Sequence, residues 1–370
     1  EENYGLTVEK KIIDAVAVIA NENRYHPVCD FLNALQWDGT ERIRFCLHRF
    51  LGSDTDDYTY EALKLFLLGA ISRAFKPGCK FEVMLCLVGG QGAGKSSFFR
   101  LLAVNDDWFS DDLKKLDDEN VYRKMQGHWI IEMSEMIATA NAKSIEEIKS
   151  FLSRQKETYK IPYETHPADR KRQCVFGGSS NTLDFLPLDR TGNRRFVPVM
   201  VYPERAEVHI LADEQASREY INQMWAEAME IYRSGNFRLR FSPAMNDYLK
   251  AHQKDFMPED TKAGQILDYL ERYSGSMVCS KQLYKEALGH DYDEPKQWEL
   301  REINDIMNNA VTGWRAFSNP RYFPEPYRRQ KGWERIRNDN EPDNSMDGFQ
   351  EIPTEEMEQL GLPEEWLKQK

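Results

Sequence analysis

The sequence predicts an α/β protein with a parallel central sheet, followed by a smaller separate module. Three short apolar runs, at residues 81–88, 128–133 and 173–177, are typical of buried parallel strands, and helical stretches alternate with them. The length of 370 residues suggests two or three domains. A hydrophobic content of 41% and a charged content of 30% are ordinary for a globular chain and exclude a disordered one.

Helical patterns flank this predicted sheet on both sides. The first helix should be capped by Thr7 and carries apolar residues at Ile13, Val16 and Ile19. The module after Pro258 should contain three helices, and Trp298 belongs to the predicted core stripe of the third, which we expect to start at Pro295. We predict an N-terminal helical region, a core that contains the sheet, a helical extension of that core, a winged-helix-like domain and an acidic tail, at residues 1–78, 79–204, 205–260, 261–338 and 339–370.

The net charge of −12 is unevenly distributed along the chain. Residues 339–370 contain ten Asp or Glu and two Lys, so most of the acidity lies in the tail. By contrast, residues 149–172 contain seven Lys or Arg against three acids, and residues 315–337 contain seven against two. The overall charge excludes a histone-like polycation, whereas these two local basic stretches are compatible with nucleic-acid binding.

The cysteine pattern and the hydropathy of the sequence indicate the cellular compartment. Six cysteines are scattered without a C-x-x-C pair, which favours free thiols in a reducing cytoplasm over a disulfide framework or zinc site. No run of about 18 apolar residues is present, and the start of the sequence has no signal-peptide pattern. We therefore expect a cytoplasmic protein without a membrane span.

The most specific motif follows the first apolar run and precedes a predicted helix. It fits G-x-x-x-x-G-K-[ST] at every fixed position, in the strand–loop–helix context of a phosphate-binding P-loop. Glycines let backbone N–H groups converge on phosphate oxygens, while the lysine reaches the β- and γ-phosphates and the serine hydroxyl binds Mg²⁺. An ATP or GTP site is predicted, and its nucleotide-binding residues are Gly89, Gly90, Gln91, Gly92, Ala93, Gly94, Lys95, Ser96 and Ser97.

Polar residues end the next two predicted strands. Glu132 and Glu135 come at the end of the second run, where a P-loop NTPase needs a carboxylate for Mg²⁺ and for the attacking water. We favour Glu132 as the metal-side acid, together with Ser96, and Glu135 as the water-polarising base, although the spacing does not decide the order. Asn181 ends the third run and can orient the attacking water; the alternative is an ordinary turn residue.

Two adjacent arginines follow a Gly-Asn turn. Arg194 and Arg195 suit a finger that reaches a phosphate across a subunit boundary, where it would stabilise transition-state charge. Only one of them can enter a given pocket, so the other is expected to pair with a carboxylate. The sequence does not decide between the two.

The basic stretch at residues 149–172 interleaves cations with aromatic rings, a pattern typical of sequence-tolerant contacts to single-stranded nucleic acid. The alternative interpretation is a solvated charged loop. In the C-terminal module, three helices and a basic ribbon look like a winged helix, whose third helix could enter a major groove or whose surface could instead dock a protein. The DNA-contact residues predicted from the first stretch are Lys156, Tyr159, Lys160, Tyr163, His166 and Arg170.

Taken together, these motifs resemble the virulence-associated protein E family of prophages and phage satellites, which in turn resembles the superfamily 3 helicases, hexameric AAA+ ATPases. The resemblance covers about residues 5–335 and is most specific over 85–200. It departs from many AAA+ proteins because no second acid directly follows the strand-end glutamate. The segments that carry it are residues 89–96, 129–135, 151–154, 159–163, 172–177, 180–181 and 191–196.

The resemblance implies a bacterial, mobile-element-encoded ring helicase that uses ATP and Mg²⁺. Its implied partners are single-stranded or forked DNA, origin duplex DNA, five further copies of the chain and replication proteins. It also implies a pore hairpin with Lys160, Tyr163, Glu164 and His166 near its tip and Lys156 or Arg170 on its flanks. Two alternatives remain: an ATP-regulated replication initiator or DNA-binding scaffold without unwinding activity, and a P-loop regulator of host or phage proteins.

Overall fold

A computed structural model describes residues 9–113, 116, 121–135, 142–159, 168–188 and 193–336. The chain forms two compact units, Glu1–Asp260 and Thr261–Lys370. The helices of the first unit are α1 Glu9–Glu22, α2 Pro27–Ala34, α3 Ile43–Leu51, α4 Asp57–Phe75, α5 Lys95–Leu102, α6 Val121–Met125, α7 Ala142–Ser153, α8 Glu214–Ser234 and α9 Pro243–His252. Its strands are β1 Met84–Val88, β2 Phe109–Ser110, β3 Ile130–Ser134, β4 Lys156–Tyr159, β5 Ala168–Lys171, β6 Val175–Ser180 and β7 Phe196–Met200.

Five of these strands form a parallel sheet in the order β2-β3-β6-β1-β7. The three apolar runs predicted from sequence supply β1, β3 and β6, and the mixed α/β fold with a parallel central sheet is confirmed. Strands β2, β3 and β6 lie on one side of β1, and β7 lies on the other, so the strand order reverses at β1. Ligands of open α/β sheets bind at such a switch point, beyond the carboxyl ends of the strands.

Both faces of the sheet are covered. Helices α4, α5 and α8 pack on one face, where the rings of Trp129 and Trp225 lie 4.5 Å apart and donate hydrogen bonds to backbone carbonyls of α4 and α5. Helices α6 and α7 and the turn Gln253–Phe256 cover the other face. Successive β1 residues alternate between the two cores, Leu85 and Leu87 on one face and Met84, Cys86 and Val88 on the other. This two-sided burial explains the continuous apolar runs in the sequence.

Helix ends in this unit follow ordinary capping chemistry. Asp56 and Asp213 accept backbone N–H hydrogen bonds at the starts of α4 and α8, at 2.8 and 3.0 Å. Helix α1 exists as predicted, but its apolar residues Ile13, Val16 and Ile19 are exposed, and Thr7 lies outside the described residues. The predicted helix is therefore present, but within the described residues nothing covers these three apolar side chains.

The second unit has its own core. Its helices are α10 Thr261–Arg272, α11 Ser280–Gln282, which continues as a π turn over Leu283–Ala287, and α12 Gln297–Asn309. Strands β8 Met277–Cys279, β12 Gly332–Arg335 and β9 Trp314–Ala316 form an antiparallel sheet in that order, and β10 Arg321–Phe323 pairs with β11 Arg328–Gln330.

Two details of the predicted third helix, α12, were wrong. Trp298 is 57% exposed, and its ring instead receives the Lys262 ammonium at 5.6 Å. The helix begins at Gln297 rather than at Pro295, because the Lys296 N–H donates to the Glu299 carboxylate at 2.7 Å and so closes the helix start there. Within the described residues, no helix has both the length and the apolar composition needed to cross a membrane.

Candidate functional site

The glycine-rich loop connects β1 to α5 at the carboxyl edge of the sheet. At Gly89 a Cβ atom would lie 2.6 Å from the Val201 carbonyl oxygen, so only glycine fits this close approach. Gly92 and Gly94 have φ values of +80° and +79°, in the left-handed region, and Gly94 caps α5. The loop thus turns sharply enough to present the first N–H groups of α5 to an anion.

Lys95 is the first residue of α5 and is 7% exposed. Its Nζ donates to the carbonyl oxygens of Gly89 and Gly90 at 2.6 and 2.8 Å, and to Oδ1 of Asn181 at 2.9 Å. All three ammonium protons are therefore used. Burial lowers the pKa of Lys95, and the nearby carboxylates of Glu135 and Glu132 oppose that shift.

Glu132 lies in the middle of β3 and is fully buried. Its Oε1 accepts hydrogen bonds from the hydroxyls of Ser96 at 2.8 Å and of Ser179 at 2.5 Å. Its Oε2 has no hydrogen-bond partner in the described part of the chain. A buried carboxylate oxygen without a donor is costly unless something else coordinates it.

Glu135 and Asn181 are joined directly. The Asn181 N–H donates to Oε1 of Glu135 at 2.8 Å, and the Glu135 N–H donates to the Ser179 carbonyl at 2.9 Å. Glu135 has φ +53°, a left-handed conformation that is uncommon for this residue type, and it directly follows β3. The turn aims its carboxylate into the cleft beside Lys95.

These groups line a cleft of about 330 Å³ at the carboxyl edge of the sheet. Lys95, Ser96, Glu135 and Asn181 share it, and they come from three different parts of the sequence. Ser134 and Ser179 also line it, as do His209 and Leu211 from the β7–α8 connection. The sequence did not predict these four residues, because no local motif marks a residue whose partners in the cleft are distant in the chain.

The residues present fit a nucleotide phosphate chain with its Mg²⁺. The loop backbone is surrounded by open space at Gly90 and Gly92, and Glu132 Oε2 is a buried acceptor next to the Ser96 hydroxyl. Mg²⁺ prefers oxygen ligands and takes one or two carboxylates together with substrate phosphates. No group of three or more His, Cys, Asp or Glu side chains converges within the described residues, so an all-protein metal cage is not found there.

Arg194 and Arg195 lie at the opposite, amino edge of the sheet. Arg195 precedes β7 and Glu82 precedes β1, and these strands run in parallel register. Arg194 donates to Glu82 Oε1 at 2.8 Å, while Arg195 donates to the Ser153 hydroxyl at 2.9 Å and lies 3.5 Å from Glu82 Oε2. Strand β1 separates them from the glycine-rich loop by roughly 16 Å, so neither reaches the cleft of its own chain.

The predicted DNA-contact stretch forms a two-stranded antiparallel hairpin, β4–β5, that leads into the amino end of β6. Lys156 on β4 pairs with Asp169 on β5, and Arg170 also lies on β5. A buried ion pair between Arg172 and Glu157 fixes the hairpin base. Tyr159 ends β4; Lys160, Tyr163 and His166 lie outside the described residues.

Three of the six described cations in the basic ribbon of the second unit pair with carboxylates. Arg315 and Arg321 both contact Glu334, at 2.8 and 2.7 Å, and Arg328 contacts Glu325 at 3.2 Å. The seven cations counted in the sequence therefore overstate the charge available to a phosphate backbone. Exposed surface ion pairs are weak, however, and a polyanion can compete for their arginines.

The family assignment rests on a comparison with known families. A family model for the virulence-associated protein E-like domain matches residues 32–258. The chain belongs to this family. The matched region of this VapE-like protein begins in α2 and ends after α9, so it contains the whole parallel sheet and the cleft.

Other comparisons are more distant. No curated protein matches the chain. Similar solved structures include the apo C-terminal region (305–718) of NrS-1, with 15% identity and a TM-score of 0.47, covering 82% of this chain and 78% of that one. An A-form apo structure of that region has 14% identity, a TM-score of 0.48 and the same coverages.

Proposed function

We propose that this VapE-like protein is an ATP-driven DNA helicase or translocase that works as a hexameric ring in the replication of a prophage or phage satellite. Membership of the family supports the mobile-element context. The strand order and the cleft at the carboxyl edge support an AAA+ type of P-loop ATPase core. The second unit, with three helices and a β10–β11 ribbon, supports a winged-helix-like domain.

In this proposal the chain binds the ATP phosphates through the backbone N–H groups of residues 89–96 and the positive end of the α5 dipole. Lys95 exchanges its contacts with Gly90 and Asn181 for β- and γ-phosphate oxygens. Ser96 and Glu132 would hold Mg²⁺, which would supply positive charge against the phosphates. The unpartnered Glu132 Oε2 supports this assignment.

Hydrolysis is assigned to the next pair of residues. Glu135 accepts a proton from the attacking water as general base, and Asn181, which contacts both Glu135 and Lys95, orients that water against the γ-phosphate. Glu132 Oε1 already accepts from two serine hydroxyls and Oε2 is assigned to Mg²⁺, which favours Glu135 for proton transfer.

Completion of the site requires a neighbouring copy. Arg194 is 62% exposed, whereas Arg195 is half-buried against Ser153 and Glu82. The accessible Arg194 is therefore the better candidate for a finger acting in trans, with Arg195 as its structural partner. A ring places the finger of one copy at the ATP of the next, and such a residue contributes about 10³–10⁵ to the rate.

The observation that carries the proposal is the contact set that joins Lys95 to Asn181 and Ser96 to Glu132 across three strands. Strand displacement on forked DNA with ATP tests it. Lys95→Ala should abolish displacement, whereas Lys250→Ala, a change at an exposed lysine of α9, should not. ATP-dependent DNA binding by wild-type rings without any displacement would favour the alternative of a replication initiator or scaffold.

Subunit mixing tests the finger in trans. Arg194→Ala copies are mixed with Lys95→Ala copies, each inactive alone. Because the two defects lie on opposite sides of one interface, mixed rings should contain some intact sites and recover ATP hydrolysis. Mixtures that stay inactive at every ratio would contradict a shared site.

A further inference from the structure

A second cleft of the first unit lies at the amino edge of the sheet, on the side opposite the glycine-rich loop. We define the amino-edge cleft by the segments that line it: residues 24–28 before and in α2, 125–129 before β3, and 169–174 before β6. Its volume is about 750 Å³, within the range of about 300–1,000 Å³ typical of small-molecule sites. Among its described lining residues, only Arg170 belongs to the DNA contacts predicted from the sequence, and none belongs to the proposed ATP site.

The charge of the cleft is positive in a chain that is acidic overall. Four cations, Arg24, Arg170, Lys171 and Arg172, line it against two carboxylates, those of Glu157 and Asp169. Both carboxylates already have partners: Glu157 pairs with Arg172 inside the cleft. Asp169 pairs with Lys156 on the neighbouring strand. An anionic ligand therefore meets a positive local field.

Aromatic rings also line the cleft. Tyr25 is 80% exposed in the short connection between α1 and α2. Trp108 is partly exposed, and edge contacts to Phe31 and Trp129, with ring centroids 6.0 and 6.3 Å apart, fix its orientation. Tyr122 on α6 completes the aromatic part of the lining. Cations with fixed aromatic faces are the combination that binds stacked bases and the phosphates between them.

From this combination we infer that the amino-edge cleft binds a segment of single-stranded DNA, with a base stacked against Tyr25 and phosphates near Arg170 and Lys171. The inference rests on the proposed function, because it extends the path of the strand held by the β4–β5 hairpin. Base faces are available only in a single strand, since pairing and stacking hide them in a duplex.

The position of the cleft would allow DNA binding to be coupled to ATP binding through the sheet. Strand β6 runs from the lining residues 172–174 to Asn181 at the ATP cleft, and β3 runs from Trp129 to Glu135. Six residues of β6 span roughly 20 Å. The DNA segment and the nucleotide would therefore contact opposite ends of the same two strands.

Fluorescence anisotropy with a labelled oligo-dT strand tests the site, using the full chain with a non-hydrolysable ATP analogue. Tyr25→Ala should weaken binding at least about fivefold, while Tyr25→Phe, which keeps the ring, should retain it. Lys171→Ala should reduce the slope of log affinity against log salt by about 0.7, whereas the exposed-lysine control Lys250→Ala should leave it unchanged. Thermal unfolding checks that each variant is folded.

Photo-crosslinking gives a local readout. An oligonucleotide carrying 5-iodouracil should crosslink to the peptide that contains Tyr25. Wild-type binding that Tyr25→Ala and Lys171→Ala leave unchanged would overturn the inference while the proposed function stands. Displacement of the strand by polyglutamate as effectively as by unlabelled oligo-dT would also overturn it, since the cleft would then attract any polyanion. A wild-type chain that binds no single strand would contradict the proposed function itself.

Discussion

Ser179 offers the sharpest test of how the buried acid is held. Its hydroxyl donates to Glu132 Oε1 at 2.5 Å, and within the described residues the only other donor to that oxygen is Ser96, at 2.8 Å. Ser179→Ala removes one of these two donors and leaves the carboxylate in place. The Ser179 hydroxyl otherwise contacts only the Ser134 hydroxyl, at 3.3 Å, among the described residues, so the change acts through Glu132 and makes Ser179 a positioning residue.

The size of the effect follows from the kind of bond that is lost. A hydrogen bond to a charged group contributes about 1.5–3 kcal/mol when its partner is buried, as Glu132 is. If the bond is needed to orient Glu132 in the transition state, kcat should fall about 10- to 150-fold, since each 1.36 kcal/mol corresponds to tenfold. Nucleotide affinity should change little, because the phosphates contact the loop and Lys95.

Steady-state ATP hydrolysis measures both quantities. Ser180→Ala is the matched control, since the Ser180 hydroxyl contacts the carbonyl of Thr182 at 3.0 Å and not Glu132. Ser179→Thr keeps a hydroxyl and should retain most of the activity. A wild-type kcat in Ser179→Ala, or an equal loss in Ser180→Ala, would refute the reasoning.

Three other predictions concern stability and DNA binding. Gly177→Ala places a methyl group 2.4 Å from the Phe99 ring and should destabilise the first unit by about 1–3 kcal/mol in urea unfolding, whereas Gly264→Ala, with open space around it, should not destabilise the protein. Burial lowers the pKa of His252, and the carboxylate of Asp255 opposes that shift. Below about pH 6.5 the unfolded chain therefore takes up a proton that the folded state resists. The free energy of unfolding should fall from pH 7.5 to 5.5, and it should fall less in His252→Phe. Equal pH dependence in both proteins would contradict this. Removal of residues 339–370 should strengthen single-strand binding at low salt and matter less at high salt, because the tail carries eight net negative charges; unchanged affinity at low salt would show that the tail does not compete with DNA.

The sequence predicted the sheet and the glycine-rich loop because their signals are local. Strand β1 reads as an unbroken apolar run since both of its faces are buried, and the loop spacing needs only eight consecutive residues. The third run is apolar only as far as Gly177, whereas β6 continues to Ser180, directly before Asn181, the residue predicted at the strand tip. Ser179 is small and polar although it is buried in a strand, because its hydroxyl donates to Glu132, 47 positions earlier in the chain.

Non-local partners also explain what the sequence could not decide. The roles proposed for Glu132 and Glu135 depend on which carboxylate contacts Ser96, and that contact spans 36 positions. The pairing of Arg194 and Arg195 depends on Glu82, more than 100 positions earlier in the chain. An amphipathic pattern, as in α1, predicts a helix but does not identify what covers its apolar face.

The most direct test of the central claim compares ATP hydrolysis with and without single-stranded DNA. If the cleft at the carboxyl edge hydrolyses ATP to move a strand, wild-type protein should hydrolyse ATP faster when oligo-dT is added, and Lys95→Ala should hydrolyse none in either condition. Hydrolysis that single-stranded DNA leaves unchanged, together with no strand displacement by assembled rings, would contradict the claim.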